Sequence, residues 1–348
     1  MDGLSHIRSA GGPSIKLWVP EMLCIAVASL AGLAASVPVA ISIGTRSPLS
    51  TTSHPTHFAS FSFDITALFG VQRTAIPFTD PRLLNLSRAL APAFVRFGGS
   101  LQDHMVADWP GAPQPPPAPP TYLTLPLNTS TWDAVATFVD AAGLDMVLGL
   151  NAQVGRQLAG GGAGQWLLDS ALAPVVRAVN QGQRIPVVEL ANEANVYNCS
   201  KDGTAKLSAP QLAAQYRALA PAVRALLPGV QIWGSDSSIT GDEVGQCRDF
   251  YGPDLFGFNR DLFAEPGLPA LLDAHTWHWY AQDSRNKSST AALILTPEYQ
   301  GRLPVQGALA RAVRDALAPG LPLAMGETAS YWAGGAANVS NRFASGFW

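Results

Sequence analysis

A chain of 348 residues has room for two average domains or one large barrel, and 47% hydrophobic against 14% charged residues describes a packed chain rather than a disordered one. The net charge is −3, and the 22 Lys+Arg include only Lys16, Lys201, Lys206 and Lys287. No basic field exists to neutralise a phosphate backbone, so nucleic acid is not an expected partner, nor is a strongly anionic membrane surface.

In chain order, the first feature is an uncharged run of 24 residues from Met22 to Thr45, preceded by Arg8 and Lys16. Such a run enters a membrane. Pro38 in its second half and the small residues Ala34-Ala35-Ser36 predict a cleaved secretory signal over residues 1–36. An uncleaved anchor facing the lumen is the alternative, and would be the only membrane contact. Residues 37–58 read as a short β-rich lead-in, and residues 59–348 as the main fold. The expected location is the secretory pathway, with delivery outside the cell, to a cell wall, or to a lysosome or vacuole. Cys199 and Cys247 remain after the leader, as one disulfide or two buried thiols. Five glycosylation sequons, at Asn85, Asn128, Asn198, Asn286 and Asn338, fit that compartment.

From residue 59 onward, short apolar runs alternate with helical patterns, as βαβ units require. The runs predict strands at Ala59–Ile65, Phe94–Phe97, Asp145–Leu150, Val187–Leu190, Val230–Gly234, His275–Trp277 and Leu321–Met325. Helices are predicted over Ser130–Ala142, Pro304–Leu317 and, most clearly, Ser208–Leu227, where Ser208 is the N-cap and Pro228-Gly229 ends the pattern. Pro110 to Pro120 carries seven prolines and reads as an extended surface loop. Seven near-continuous hydrophobic strands with intervening helices predict an α/β fold: a (β/α)8 barrel of the TIM type, truncated after its seventh strand.

In such barrels the active site is built where strands end at their C-terminal edge. The fourth predicted strand leads into Asn192-Glu193 and the seventh into Gly326-Glu327-Thr328, so two carboxylates face each other across the barrel mouth. Glycoside hydrolysis needs such a pair, one to protonate the leaving oxygen and one to meet the oxocarbenium-like carbon. Asn192 suits a sugar 2-hydroxyl. His275-Thr276-Trp277-His278-Trp279-Tyr280 ends the sixth strand and offers aromatic faces and donors that can orient a carboxylate. Gly98 and Gly99 would allow close backbone approach to a ligand, and Asp103 could accept bonds from sugar hydroxyls, or be a solvated turn residue.

These segments together resemble glycoside hydrolase family 79, the family of heparanase-type enzymes. The resemblance rests on Leu90-Ala91-Pro92-Ala93-Phe94-Val95-Arg96-Phe97-Gly98-Gly99-Ser100, Leu148-Gly149-Leu150-Asn151-Ala152, Glu189-Leu190-Ala191-Asn192-Glu193-Ala194-Asn195, Thr276-Trp277-His278-Trp279-Tyr280, and Gly326-Glu327-Thr328-Ala329 with Gly334-Gly335. It implies Glu193 as acid/base and Glu327 as nucleophile of a retaining hydrolase without metal or other cofactor. Asn192, Asp103, Tyr280, His278, Gly98, Gly99, Gly334 and Gly335 would then serve the saccharide substrate, a β-glucuronide in glycosaminoglycan-like or cell-wall material. Ala194 stands where the family usually has Pro, and Asp236-Ser237-Ser238 lacks the Gln and Arg of animal heparanases. The family's C-terminal β-sandwich is expected to be missing.

Two further readings stay open: a catalytically silent carbohydrate-binding protein, and a related barrel acting on another glycoside such as an arabinofuranoside or xyloside. The histidines and cysteines show no metal-ligand spacing, and neither a phosphate-binding loop nor a Gly-x-Ser-x-Gly elbow is present.

Overall fold

The computed structural model describes residues 56–57, 59–70, 75–116, 122–156, 164–199, 206–238, 257–281, 290–332 and 335–340, without the side chains of residues 198, 199 and 291. The leader, the lead-in to residue 55, Cys247, Asn286 and Gly334 lie outside the described residues, as do the side chains of Asn198 and Cys199. Asn85, Asn128 and Asn338 are exposed. Among the described residues no helix is long and apolar enough to cross a membrane.

The strands are β1 (Phe61–Asp64), β2 (Phe94–Gly98), β3 (Met105–Asp108), β4 (Leu125–Asn128), β5 (Asp145–Leu150), β6 (Val187–Leu190), β7 (Gln231–Ser238), β8 (Ala274–Tyr280) and β9 (Leu323–Ala329). The helices are α1 (Thr66–Phe69), α2 (Pro81–Arg88), α3 (Thr129–Ala142), α4 (Leu168–Asn180), α5 (Ala209–Leu226), α6 (Gly257–Phe263), α7 (Ala291–Ile294), α8 (Pro297–Gln300) and α9 (Arg302–Leu317). Seven strands form one parallel sheet in the order β1-β2-β5-β6-β7-β8-β9, a nearly closed barrel wall. All seven predicted strands are present. The parallel pair β3-β4 is additional, a small second sheet leading into α3.

Local chemistry explains the helix boundaries. Ser208 accepts from Gln211 N while Gln211 reaches back to Ser208 N, a full capping box for α5. For α3 the cap is Asn128, two residues before the predicted start, and it accepts from Thr131 N. Trp132, Val135, Phe138, Val139 and Ala142 recur every three or four residues on α3 and are buried against the sheet.

Strand alternation separates two layers. Val95, Phe97, Met146, Leu148, Leu150, Val188, Leu190 and Ile232 face the helices and belong to the main hydrophobic core. The alternate residues of β2, β5 and β6, namely Arg96, Gly98, Val147, Gly149, Val187 and Glu189, point into the barrel. The inner layer therefore carries the charged residues of these strands, Arg96 and Glu189, while the outer one is apolar. This explains why β7, β8 and β9 run three or four residues past their predicted ends: their last inward residues are polar, and an apolar run stops before them.

Candidate active site

The site is assembled from the C-terminal ends of β2, β6, β7, β8 and β9. Arg96 occupies its centre, 4% exposed, with its guanidinium shared among four acceptors. Nε donates to Glu189 Oε2 at 2.6 Å, Nη1 to Glu327 Oε1 at 2.7 Å, and Nη2 to both Asp236 Oδ2 at 2.5 Å and Asn192 Oδ1 at 3.1 Å. His278, fully buried, bridges Asp236 to one more carboxyl: Nδ1 lies 3.0 Å from Glu193 Oε1 and Nε2 lies 2.7 Å from Asp236 Oδ1. Tyr280 donates its hydroxyl to Glu327 Oε2 at 2.8 Å. The two carboxylates predicted from sequence meet here, with one oxygen each from Glu193 and Glu327, and Nδ1 or Nε2 of His278, all within 4.8 Å of one another.

That trio has the composition of a metal site but not its electronics. Both ring nitrogens of His278 are already engaged by carboxyl oxygens. Burial opposes a charge on the ring, yet Asp236 and Glu327 outweigh it and hold the ring's pKa well above 6.5, which favours the imidazolium form, able to donate from both nitrogens.

Environment divides the two glutamates. Burial pushes the Glu193 carboxyl above 4.5, with Glu327 and Asp236 adding like-charge repulsion that the His278 bond only partly offsets. Burial acts on Glu327 too, but the charges of His278 and Arg96 and the Tyr280 hydroxyl outweigh it and hold the group below 4.5. Glu193 is thus poised to keep a proton and Glu327 to lack one.

The turn after β6 is held in an unusual backbone conformation. Ala191 and Glu193 have φ of 69° and 54°, and Asp236 across from them has φ of 55°. Non-glycine residues at positive φ cost about 1–3 kcal/mol and persist only where surroundings over-determine them. Here Glu193 N donates to Asp236 O at 2.8 Å and Asn192 N to Asp103 Oδ2 at 3.0 Å.

Asp103 is therefore placed differently from the sequence expectation. It lies fully buried, its carboxylate accepting from Ala152 N at 2.8 Å, from Asn192 N and from the Tyr197 hydroxyl. Burial raises it to about 6. It braces the turn that carries Asn192 and Glu193 rather than reaching toward a ligand. Gly98 and Gly99 also serve side chains: a Cβ on Gly98 would lie 2.5 Å from Arg96 Cζ, and one on Gly99, whose φ is 106°, would lie 2.9 Å from Asp64 Oδ2. Gly335, with φ of 84°, sits against Ser340. Asn192 Oδ1 accepts from Arg96 Nη2, which leaves its amide nitrogen as the donor end.

Three residues that sequence reasoning gave no role, Arg96, Glu189 and Asp236, form the middle of the cluster. The first two carried a signal: each is a charged residue inside an otherwise apolar strand, and such residues are almost never fully buried unless paired.

Comparison with known proteins agrees with this architecture. Residues 74–348 match the glycosyl hydrolase family 79, N-terminal domain. Heparanase of Gallus gallus is 26% identical over 88% of this chain and 62% of its own length, so the chain spans less than two thirds of that relative. Among solved structures, a 4-O-α-L-rhamnosyl-β-D-glucuronidase from Fusarium oxysporum 12S is 20% identical, with a TM-score of 0.49 over 80% of this chain and 55% of its own. A bifunctional glucanase-xylanase from a metagenome library is 11% identical, with a TM-score of 0.50 over 78% of this chain and 67% of its own.

Proposed function

Since the chain belongs to glycosyl hydrolase family 79, we propose that it is a retaining glycosidase that cleaves β-linked glucuronides, with Glu327 as nucleophile and Glu193 as acid/base. The observation that carries this reading is the approach of Glu193 and Glu327 oxygens to within 4.8 Å, combined with the opposite displacement of their pKa values. Retaining enzymes hold their carboxyls about 5–5.5 Å apart, whereas inverting ones need about 6.5–9.5 Å to admit a water.

In the first step Glu327 attacks the anomeric carbon while Glu193 gives its proton to the leaving oxygen. In the second Glu193, now ionised, takes a proton from water, which attacks the anomeric carbon and releases Glu327. Arg96 and Tyr280 fix both oxygens of Glu327, limiting rotation of the nucleophile. The amide nitrogen of Asn192 is offered to the sugar 2-hydroxyl. Support for the glucuronide is the heparanase relative and the family motifs, and support for the secretory pathway is the uncharged leader with its sequons.

The test is turnover of a panel of nitrophenyl glycosides, with Glu193→Gln and Glu327→Gln beside the unchanged protein. Hydrolysis of the aryl β-glucuronide with retention at the anomeric carbon, lost in both variants, is expected. Full activity in either variant, or saccharide binding without hydrolysis by the unchanged protein, would overturn the assignment.

A further inference from the structure

Among the described residues, the charges in the barrel balance only when two carboxyls are protonated. Glu189, Glu193, Asp236 and Glu327 there face two cations, Arg96 and His278. Asp236 receives bonds from both cations, and Glu327 from Arg96 and Tyr280, with His278 Nδ1 at 3.9 Å. Glu193 receives one bond, from His278, and its proton is the one used in turnover. Glu189 also receives one bond, from Arg96 Nε on Oε2, while its Oε1 is fully buried with no partner. A bare carboxylate oxygen there would be costly to bury, and a hydroxyl needs only an acceptor.

An acceptor is at hand. Gln102 Oε1 is likewise buried without a partner, its amide turned by the bond from Nε2 to Leu150 O at 3.2 Å. That oxygen lies over Gly149, where a Cβ would be 2.2 Å from it, and Gly149 is the lateral strand neighbour of Glu189. One proton would satisfy both orphaned oxygens, that of Glu189 on β6 and that of Gln102 in the turn after β2.

We propose that Glu189 is a neutral positioning residue, a carboxylic acid whose Oε1–H is directed to Gln102 Oε1 while its Oε2 anchors Arg96, so that the guanidinium charge is left to Glu327 and Asp236. This deepens the glycosidase reading and rests on it. Around Glu189 the ionisable groups are Arg96 from β2, Asp236 from β7, His278 from β8, Glu327 from β9 and Tyr216 from α5. Burial and then Asp236 push its pKa up to about 7 against the pull of Arg96, so the proton stays through the acidic range.

Infrared spectra of the intact protein at mildly acidic pH test this without turnover. Beside the bands of Glu193 and Asp103, a further protonated-carboxyl component is expected in the wild type, lost from the difference spectrum with Glu189→Gln, and moved to the frequency of an unbonded acid in Gln102→Met, which leaves Glu189 in place should the first variant not fold. No difference in that region for either variant overturns the proposal, whether or not the protein hydrolyses glucuronides. The acid limb of the kcat/KM profile gives the second readout. Glu189→Leu removes the acceptor of Arg96 Nε and is expected to lower kcat and shift the limb, and Glu189→Gln is expected to rescue both. A limb displaced to lower pH in Glu189→Gln, as loss of a negative charge would produce, overturns it.

Discussion

Glu193 and Glu327 are the same side chain, delivered to the same cleft, yet their surroundings drive them in opposite directions. Glu193 comes from a turn at positive φ braced by Asp103, and its bonded counter-charge among the described residues is His278. Glu327 comes from an extended strand and is gripped by Arg96 and Tyr280, with His278 close by. Burial raises the pKa of each, so desolvation does not give them opposite directions. The number and sign of the groups each one faces push one toward its protonated form and the other toward its ionised form, the division the proposed mechanism needs.

The largest expected effect is on the strand-borne partner: Glu327→Gln should reduce turnover to background on every glycoside, measured by steady-state kinetics, because nothing replaces the nucleophile. On the turn-borne partner, Glu193→Ala should cost about 10²–10⁴-fold in kcat for poor leaving groups, and less for an activated aryl glycoside that needs little proton donation. Arg96→Met strips the shared cation from three carboxyls. Breaking a buried ion pair costs about 3–5 kcal/mol, so denaturant unfolding should show a loss of that order, with the acid limb of activity moved upward as Glu327 loses its cation. Tyr280→Phe sharpens the comparison without disturbing the fold: losing a hydrogen bond to a charged group costs about 1.5–3 kcal/mol, or about tenfold to a hundredfold in kcat/KM. The unmodified protein should give a bell-shaped kcat/KM profile. Its acid limb falls below 4.5, where Glu327 gains a proton, and its alkaline limb above 4.5, where Glu193 loses one.

Periodicity and apolar runs in the sequence were enough for the seven-stranded parallel architecture and the three predicted helices, because buried strands and amphipathic helices leave local signatures at fixed spacing. The motifs around Asn192-Glu193 and Gly326-Glu327 were enough to bring two carboxylates to one rim. Packing alone decided that Asp103, Gly98 and Gly99 support neighbouring side chains, and that Arg96, Glu189 and Asp236 form the hub. A residue such as Arg96 acquires its role from Glu327, which is 231 positions away in the chain. The pKa of each carboxyl depends on the charges gathered around it and on the exclusion of water, neither of which any local stretch of sequence specifies.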